Sequence, residues 1–337
     1  MNKKATYYLI IGLLLCSLIV YDLNQAKYLN GLVYSTIELI TGSNQWNENF
    51  QKVEIETIYS VQNQPAYFYK SKGKKPRPLV VSLHTWGGDF SQPDALSRLC
   101  LENNINYIHP NFNGPNNNLN SCCSDMVIGQ IDEAINYAIE NANVDQQSIN
   151  VIGLSGGGYT AFCHYLLSKF PVAKYQSWVG ISDLETWYYQ SKSQENAIWK
   201  DILACTGSKD SLKTFEANKR SPLHMPLNLN SSKKSILDIY TGIHDGNRGT
   251  VPITHSINFY NKIVSNLYES EPHRMVSIEE TLYMLENRRA MGKYGTIGGR
   301  EVVFAKNNAK ISLYVFDGEH EILPEHAISG ALKKSAD

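Results

Sequence analysis

The stretch VIGLSGGGYT, residues 151–160, sets one serine among glycines between two apolar runs. Gly153, Ser155 and Gly157 fall in the register G-x-S-x-G, with a strand-like run before them and a helix-like run after. A serine on so sharp a strand-to-helix turn projects its hydroxyl, and its strained backbone needs neighbours without bulky side chains. The N–H groups that open the following helix point toward the negative charge an attacked carbonyl would develop. A serine hydroxyl is a weak nucleophile by itself. It needs an imidazole to take its proton and a carboxylate to fix that imidazole's tautomer. The same five residues also suit a glycine turn with a structural serine, so the partners decide. A phosphate-cradling loop is excluded, because it requires a Gly-Lys-Ser/Thr step that is absent here.

The chain contains partners of the right types. VVSLHTWGGDF (80–90) carries a strand-like run into His84, followed by Gly87 and Gly88. Such a turn exposes a backbone N–H, here that of Trp86, to pair with the N–H of Gly156 as an oxyanion hole. Asp245 in YTGIHDGNRGTVPITHS (240–256) and His320 in YVFDGEHEIL (314–323) each follow a strand-like run. The order Ser155, Asp245, His320 supplies nucleophile, acid and base. Asp183, after WVGIS, competes for the acid's place. His244 and His255 read as loop or helix-start residues, while Asp317 and Glu319 lie too close in sequence to His320 to orient it. HEILPEH begins like a zinc motif, but its second histidine is six positions on and Pro324 would break the helix. No metal and no organic cofactor is expected.

These residues require elements that bring them to one edge. VEIETIY (53–59) alternates with period two, and AYFYK (66–70) follows a turn as a hairpin partner. PLVVSLH (78–84), NINYIHP (104–110), INVIGL (149–154), SWVGIS (177–182), SILDIYTG (235–242) and ISLYVFDG (311–318) are short continuous apolar runs, as in parallel strands buried on both faces. Helical periods separate them, most clearly over 126–142, where Val127, Ile131, Ala134, Ile135 and Ala138 share a stripe. The pattern predicts an α/β fold: an eight-stranded, mostly parallel sheet with helices on both faces. Two longer stretches, near 183–234 and 267–310, follow strands and read as inserted cap segments. The catalytic domain is expected over 53–330, with 27–52 connecting it to the N-terminus.

Composition narrows the class. With 31 basic and 32 acidic residues among 337, the formal charge is −1 and gives no electrostatic reason to expect a nucleic-acid partner. At the N-terminus, Lys3 and Lys4 precede an uncharged apolar run from Tyr7 to Tyr21. Its ~15 residues rise about 22 Å as a helix, short of a hydrocarbon core of roughly 30 Å. Residues 1–26 therefore read as a signal peptide or a short signal anchor, with the body exported and either secreted or membrane-attached through 7–21. In that compartment some of Cys100, Cys122, Cys123, Cys163 and Cys205 pair, and an odd number leaves at least one free. Adjacent Cys122 and Cys123 would more readily each reach a different partner.

LHTWGG, GLSGGGYTA, HDGNRGTVPITHSINFYNKIV and DGEHEI resemble exported members of the prolyl oligopeptidase and acetyl-esterase branch of the α/β-hydrolases. The resemblance covers most of 53–330. It implies the α/β-hydrolase fold with Ser155 as nucleophile, Asp245 as acid, His320 as base, and the Trp86 and Gly156 N–H groups as the oxyanion hole. No β-propeller is expected before the domain, and the 75 positions between Asp245 and His320 fit an inserted cap. The expected activity is hydrolysis of a short acyl ester, on a small molecule or an oligosaccharide. Trp187, Tyr188, Tyr189 and Trp199 offer either aromatic faces for sugar rings or simply core. The alternatives are a small serine peptidase, with Arg248, Arg288, Arg289 or Arg300 anchoring a peptide terminus, and a non-catalytic binding protein on a hydrolase scaffold.

Overall fold

Continuous apolar runs are stable in a sheet only where both faces are covered. The computed structural model, which describes residues 46–227, 235–268 and 271–332, shows how that is done here. β1 (Gln51–Ile55) and β2 (Gln64–Tyr69) form the expected antiparallel hairpin, with Val53 opposite Ala66. β2 runs antiparallel to β4 (Asn106–Pro110). From β4 the sheet continues in parallel through β3 (Arg77–Leu83), β5 (Val144–Leu154), β6 (Lys174–Trp178) and β7 (Ile236–Gly242) to β10 (Ile311–Phe316). β9 (Arg300–Asn308) and β8 (Thr296–Ile297) finish the far edge as antiparallel strands.

The sheet therefore has ten strands where eight were expected. The two additional strands lie in the polar segment before β10. There Val302, Val303 and Phe304 are buried in succession, and the register with β10 shifts between Val315 and Phe316. A bulge breaks the period-two signature by which a strand is read from sequence. Pairing with β9 also keeps β10 from being an open edge.

Helices cover both faces. α2 (Asp125–Asn141), α3 (Gly156–Leu167) and α7 (Thr254–Leu267) lie on one side, with Phe162 of α3 stacked on Phe259 of α7 at 3.9 Å between ring centroids. α1 (Ala95–Glu102) and α9 (Pro324–Leu332) pack together on the other. On that side Trp178 stacks on Tyr240 at 4.0 Å and Tyr240 on Tyr314 at 5.2 Å, one ring from each of β6, β7 and β10. The His326 ring of α9 meets the first two edge-on. The stretch 183–234 contributes α4 (Leu184–Ser193), α5 (Ile198–Cys205) and α6 (Thr214–Lys219), and 267–310 contributes α8 (Ile278–Asn287) with β8 and β9. The predicted signal segment 1–26 and residues 27–45 lie outside the described residues. Among the described residues no helix is long and apolar enough to cross a membrane.

Chain order matters at the centre of the sheet. From β3 the chain steps outward to β4, then returns past β3 to β5. The direction of winding thus reverses between β3 and β5, and the loops leaving their C-terminal ends diverge to open a crevice, where open α/β sheets build their sites.

Two disulfides fasten the neighbourhood. Cys122 bonds Cys205 of α5, and Cys123 bonds Cys163 of α3. Adjacent cysteines reach opposite partners because both adopt left-handed backbone, with φ of 51° and 59°. Among the described residues Cys100 is the free cysteine, buried, with its thiol pushed up by burial and by the nearby Asp94 charge. Replacing Cys122 and Cys205 by serine is expected to remove about 2–5 kcal/mol of unfolding stability. Urea titration reads this as a lowered midpoint, reproduced in the unsubstituted chain by reductant. An unchanged midpoint under reductant would show that these thiols are not paired.

Candidate active site

β5 ends in the buried run from Ile149 to Gly153, and the next turn must deliver the chain into α3. Ser155 makes that turn at φ 57° and ψ −113°. A non-glycine residue in such a region costs on the order of 1–3 kcal/mol and persists only where its surroundings hold it. Here its N–H donates to Trp178 O at 2.8 Å, and its carbonyl accepts from Tyr159 N–H at 2.9 Å. The turn also needs close backbone contacts. A Cβ on Gly153 would lie 2.1 Å from Gly157 O, and one on Gly156 would lie 2.2 Å from Trp86 N. Any side chain at either position would push the elbow off its neighbours.

The second contact joins the elbow to the loop after β3. Leu83 pairs with Gly153, so His84, Thr85 and Trp86 emerge beside Ser155 and Gly156. Among the described residues neither the Trp86 N–H nor the Gly156 N–H donates a hydrogen bond. Two such groups on adjacent backbones are what an oxyanion hole requires. The loop holding Trp86 is anchored on several sides. Trp86 O accepts from Asn116 N–H at 2.8 Å, and its indole Nε1–H donates to Asp201 Oδ2 at 3.2 Å. Its ring meets Trp187 edge-on at 4.8 Å. His84 is stacked on Phe112, and its ring nitrogens face Thr85 O and Asn111 O at 3.0 and 2.9 Å. Burial pushes the His84 pKa down to about 4, so the ring is neutral at pH 7 and donates to one of the two.

Asp245 and His320 come together from the loops after β7 and β10. Asp245 Oδ2 accepts from His320 Nδ1–H at 2.8 Å, while Oδ1 accepts from the N–H groups of Gly246 at 2.9 Å and Val251 at 3.0 Å. The aspartate side chain is fully buried. The imidazole remains partly open to solvent. With Nδ1 bonded to the carboxylate, Nε2 is the nitrogen available to a hydroxyl. Among the described residues no hydrogen bond joins His320 to Ser155 Oγ. Such contacts are often long before substrate arrives.

The competing residues are engaged elsewhere. Asp183 caps α4, with Oδ1 accepting from Glu185 and Thr186 N–H and Oδ2 from the Thr186 hydroxyl. His244 lies 3.4 Å from Asp317. His255 is buried, accepts from Ser182 N–H at Nδ1 and donates to Gln190 Oε1, with burial pushing its pKa down to about 4. Each named arginine has a partner: Glu319 for Arg248, Ile243 O for Arg288, the Tyr283 hydroxyl for Arg289 and Glu321 for Arg300. Trp187 and Tyr188 are buried, so two of the four aromatics considered for sugar stacking are core; Tyr189 is exposed. Asn116 and Asp201 were not singled out from sequence. Nothing in PNNNLN or IWKDIL distinguishes them, because their importance rests on contacts 30 and 115 residues away in Trp86.

No family model and no curated protein matches the chain. Solved structures do. Acylaminoacyl peptidase from Pyrococcus horikoshii aligns at a TM-score of 0.52 and 17% identity, over 77% of this chain and 44% of that one. A puromycin-hydrolyzing peptidase from Mycobacterium tuberculosis aligns at 0.52 and 13%, over 84% and 37%. Prolyl oligopeptidase B from Galerina marginata aligns at 0.51 and 15%, over 65% and 32%. The chain thus spans less than half the length of each. The likeness lies in backbone architecture, and it agrees with the strand order and the elbow: this chain has the α/β-hydrolase fold.

Proposed function

We propose that the chain is a serine hydrolase that cleaves carboxylic esters through an acyl-enzyme on Ser155. The observation that carries this reading is the buried Asp245 carboxylate bonded to His320 Nδ1, on loops at the same sheet edge as the strained Ser155 elbow. In the first half-reaction His320 Nε2 takes the Ser155 proton as Oγ attacks the carbonyl carbon. The oxyanion of the tetrahedral intermediate is met by the Trp86 and Gly156 N–H groups. Collapse breaks the ester C–O bond, and the imidazolium returns its proton to the departing alkoxide. Water then repeats the sequence on the acyl-enzyme, with His320 again as base, and frees the carboxylic acid and Ser155. The Asp245 carboxylate, bonded to His320 Nδ1, stabilises the imidazolium.

Ester rather than peptide substrates are favoured by the rim arginines. Arg248 and Arg300 are already paired with Glu319 and Glu321, so a peptide carboxylate would have to displace an existing partner at either. The peptidase reading draws on the fold neighbours, which are peptidases. Two disulfides support the export expected from the N-terminus, since such bonds persist in oxidising compartments.

A fluorophosphonate probe is expected to label the full chain and to leave the Ser155→Ala variant unlabelled; an unlabelled folded protein would favour a binding scaffold instead. Among short p-nitrophenyl esters and the matching anilides, esters should turn over much faster, and comparable rates would sink the ester preference. Asp245→Asn and His320→Ala should each lower kcat at least about a thousandfold. Asp183→Ala should retain the rate while losing about 0.5–2 kcal/mol of stability with its helix cap. Gly156→Ala, whose Cβ would displace the Trp86 backbone, should lower kcat about 10²–10³-fold, the scale of a lost oxyanion donor.

A further inference from the structure

Asp201 stands out among the charged groups around the site. It lies on α5 and is partly buried, and it accepts a hydrogen bond from the Trp86 indole N–H, a neutral donor. Among the described residues no cation lies within ion-pair distance of it. The cations nearby are turned to other work. Lys192 donates to the Tyr188 hydroxyl and sits over the Tyr188 and Trp199 rings, and Lys200 sits over Trp199. The Arg220 guanidinium donates to the carbonyls of Leu119, Ser121 and Cys122. At the opposite rim, by contrast, Arg248 and Arg300 are already neutralised by Glu319 and Glu321.

A carboxylate withdrawn from water with one neutral donor is poorly compensated. Burial holds Asp201 above the usual carboxylate range despite that hydrogen bond. A cation arriving with a ligand would supply the missing partner, and hydrogen bonds between charged groups are about twice as strong as neutral ones. The placement decides where that cation would sit. Trp86 offers its backbone N–H beside Gly156 and its indole N–H to Asp201, so a single residue joins the carboxylate to the loop beside Ser155.

We infer that Asp201 and Trp86 form a cation subsite that selects substrates carrying a protonated amine close to the scissile carbonyl, as in an aminoacyl ester. This rests on the hydrolase reading for its catalytic meaning, but binding tests it without turnover. The full chain bearing Ser155→Ala is titrated calorimetrically with alanine p-nitroanilide and with its N-acetylated twin, each repeated after adding Asp201→Asn. Asparagine retains an acceptor for the Trp86 indole and removes only the charge. The free amine is expected to bind about tenfold tighter or better, as a charge-assisted hydrogen bond implies. That preference should vanish with Asp201→Asn, while affinity for the acetylated twin stays within about twofold. Equal affinities for the two ligands, absence of binding by both, or a preference that survives Asp201→Asn would each overturn the subsite. Fluorophosphonate labelling of the unsubstituted chain reads the hydrolase proposal separately, so labelling without amine preference sinks the subsite alone.

Discussion

The arrangement depends on how closely two backbones approach at the sheet's switch point. Leu83 and Gly153 pair across β3 and β5, and three residues beyond each of them Gly156 meets Trp86 with no room for a Cβ between them. This contact sets where the two free N–H groups sit relative to the Ser155 hydroxyl. It also holds the elbow against relaxation, because Ser155 could leave its positive φ only by moving α3 away from the β3 loop. A helix buried along nearly its whole length cannot do that cheaply. The strain at Ser155 is thus maintained by packing on the far side of the turn.

The insertion after β6 carries this constraint to the acid. Trp187 of α4 touches the Trp86 ring on one side and donates its indole N–H to Thr250 O in the Asp245 loop on the other. Gln194 donates to Gly246 O, and Gln190 accepts from His255 at the start of α7. One short helix therefore touches the Trp86 loop and the Asp245 loop together. Asp183 serves the same purpose as its N-cap, which is why a carboxylate so close to the sheet edge takes no part in the charge arrangement at His320. α5 adds the Cys122–Cys205 bond, and Cys205 Sγ and the Cys122 N–H both contact Asn116, whose own N–H holds Trp86 O. The covalent staple thus lies two contacts from an oxyanion donor.

Much of this is legible in the amino-acid sequence. The six parallel strands declare themselves as apolar runs because burial on both faces removes the polar alternation. Ser155, Asp245 and His320 are readable because each follows such a run, and chain order with strand polarity brings them to one edge. What escaped had a non-local cause. β9 was missed because its bulge disturbs the period and its partner lies across a turn. Asp201 and Asn116 are ordinary polar residues until folding places Trp86 beside them. From its type alone Trp187 suits either a sugar platform or the core, and only its partners at Trp86 and Thr250 identify it as a buried brace.

The charge pattern around the site follows from this bracing. The rim near His320 has paired charges on neighbouring loops, Arg248 with Glu319 and Arg300 with Glu321. There each group is compensated from within, and a ligand charge would have to displace an existing partner. On the α5 side the lysines lie over aromatic faces, and the carboxylate there has only an indole N–H. Arg248 and Arg300 thus meet carboxylates, whereas Asp201 meets a neutral indole N–H. A partly buried carboxylate with a neutral partner gains more from an arriving cation than one already paired with a cation. If Asp201 takes a substrate's charge as proposed, its place is set through Trp86, whose indole N–H it accepts and whose ring Trp187 braces.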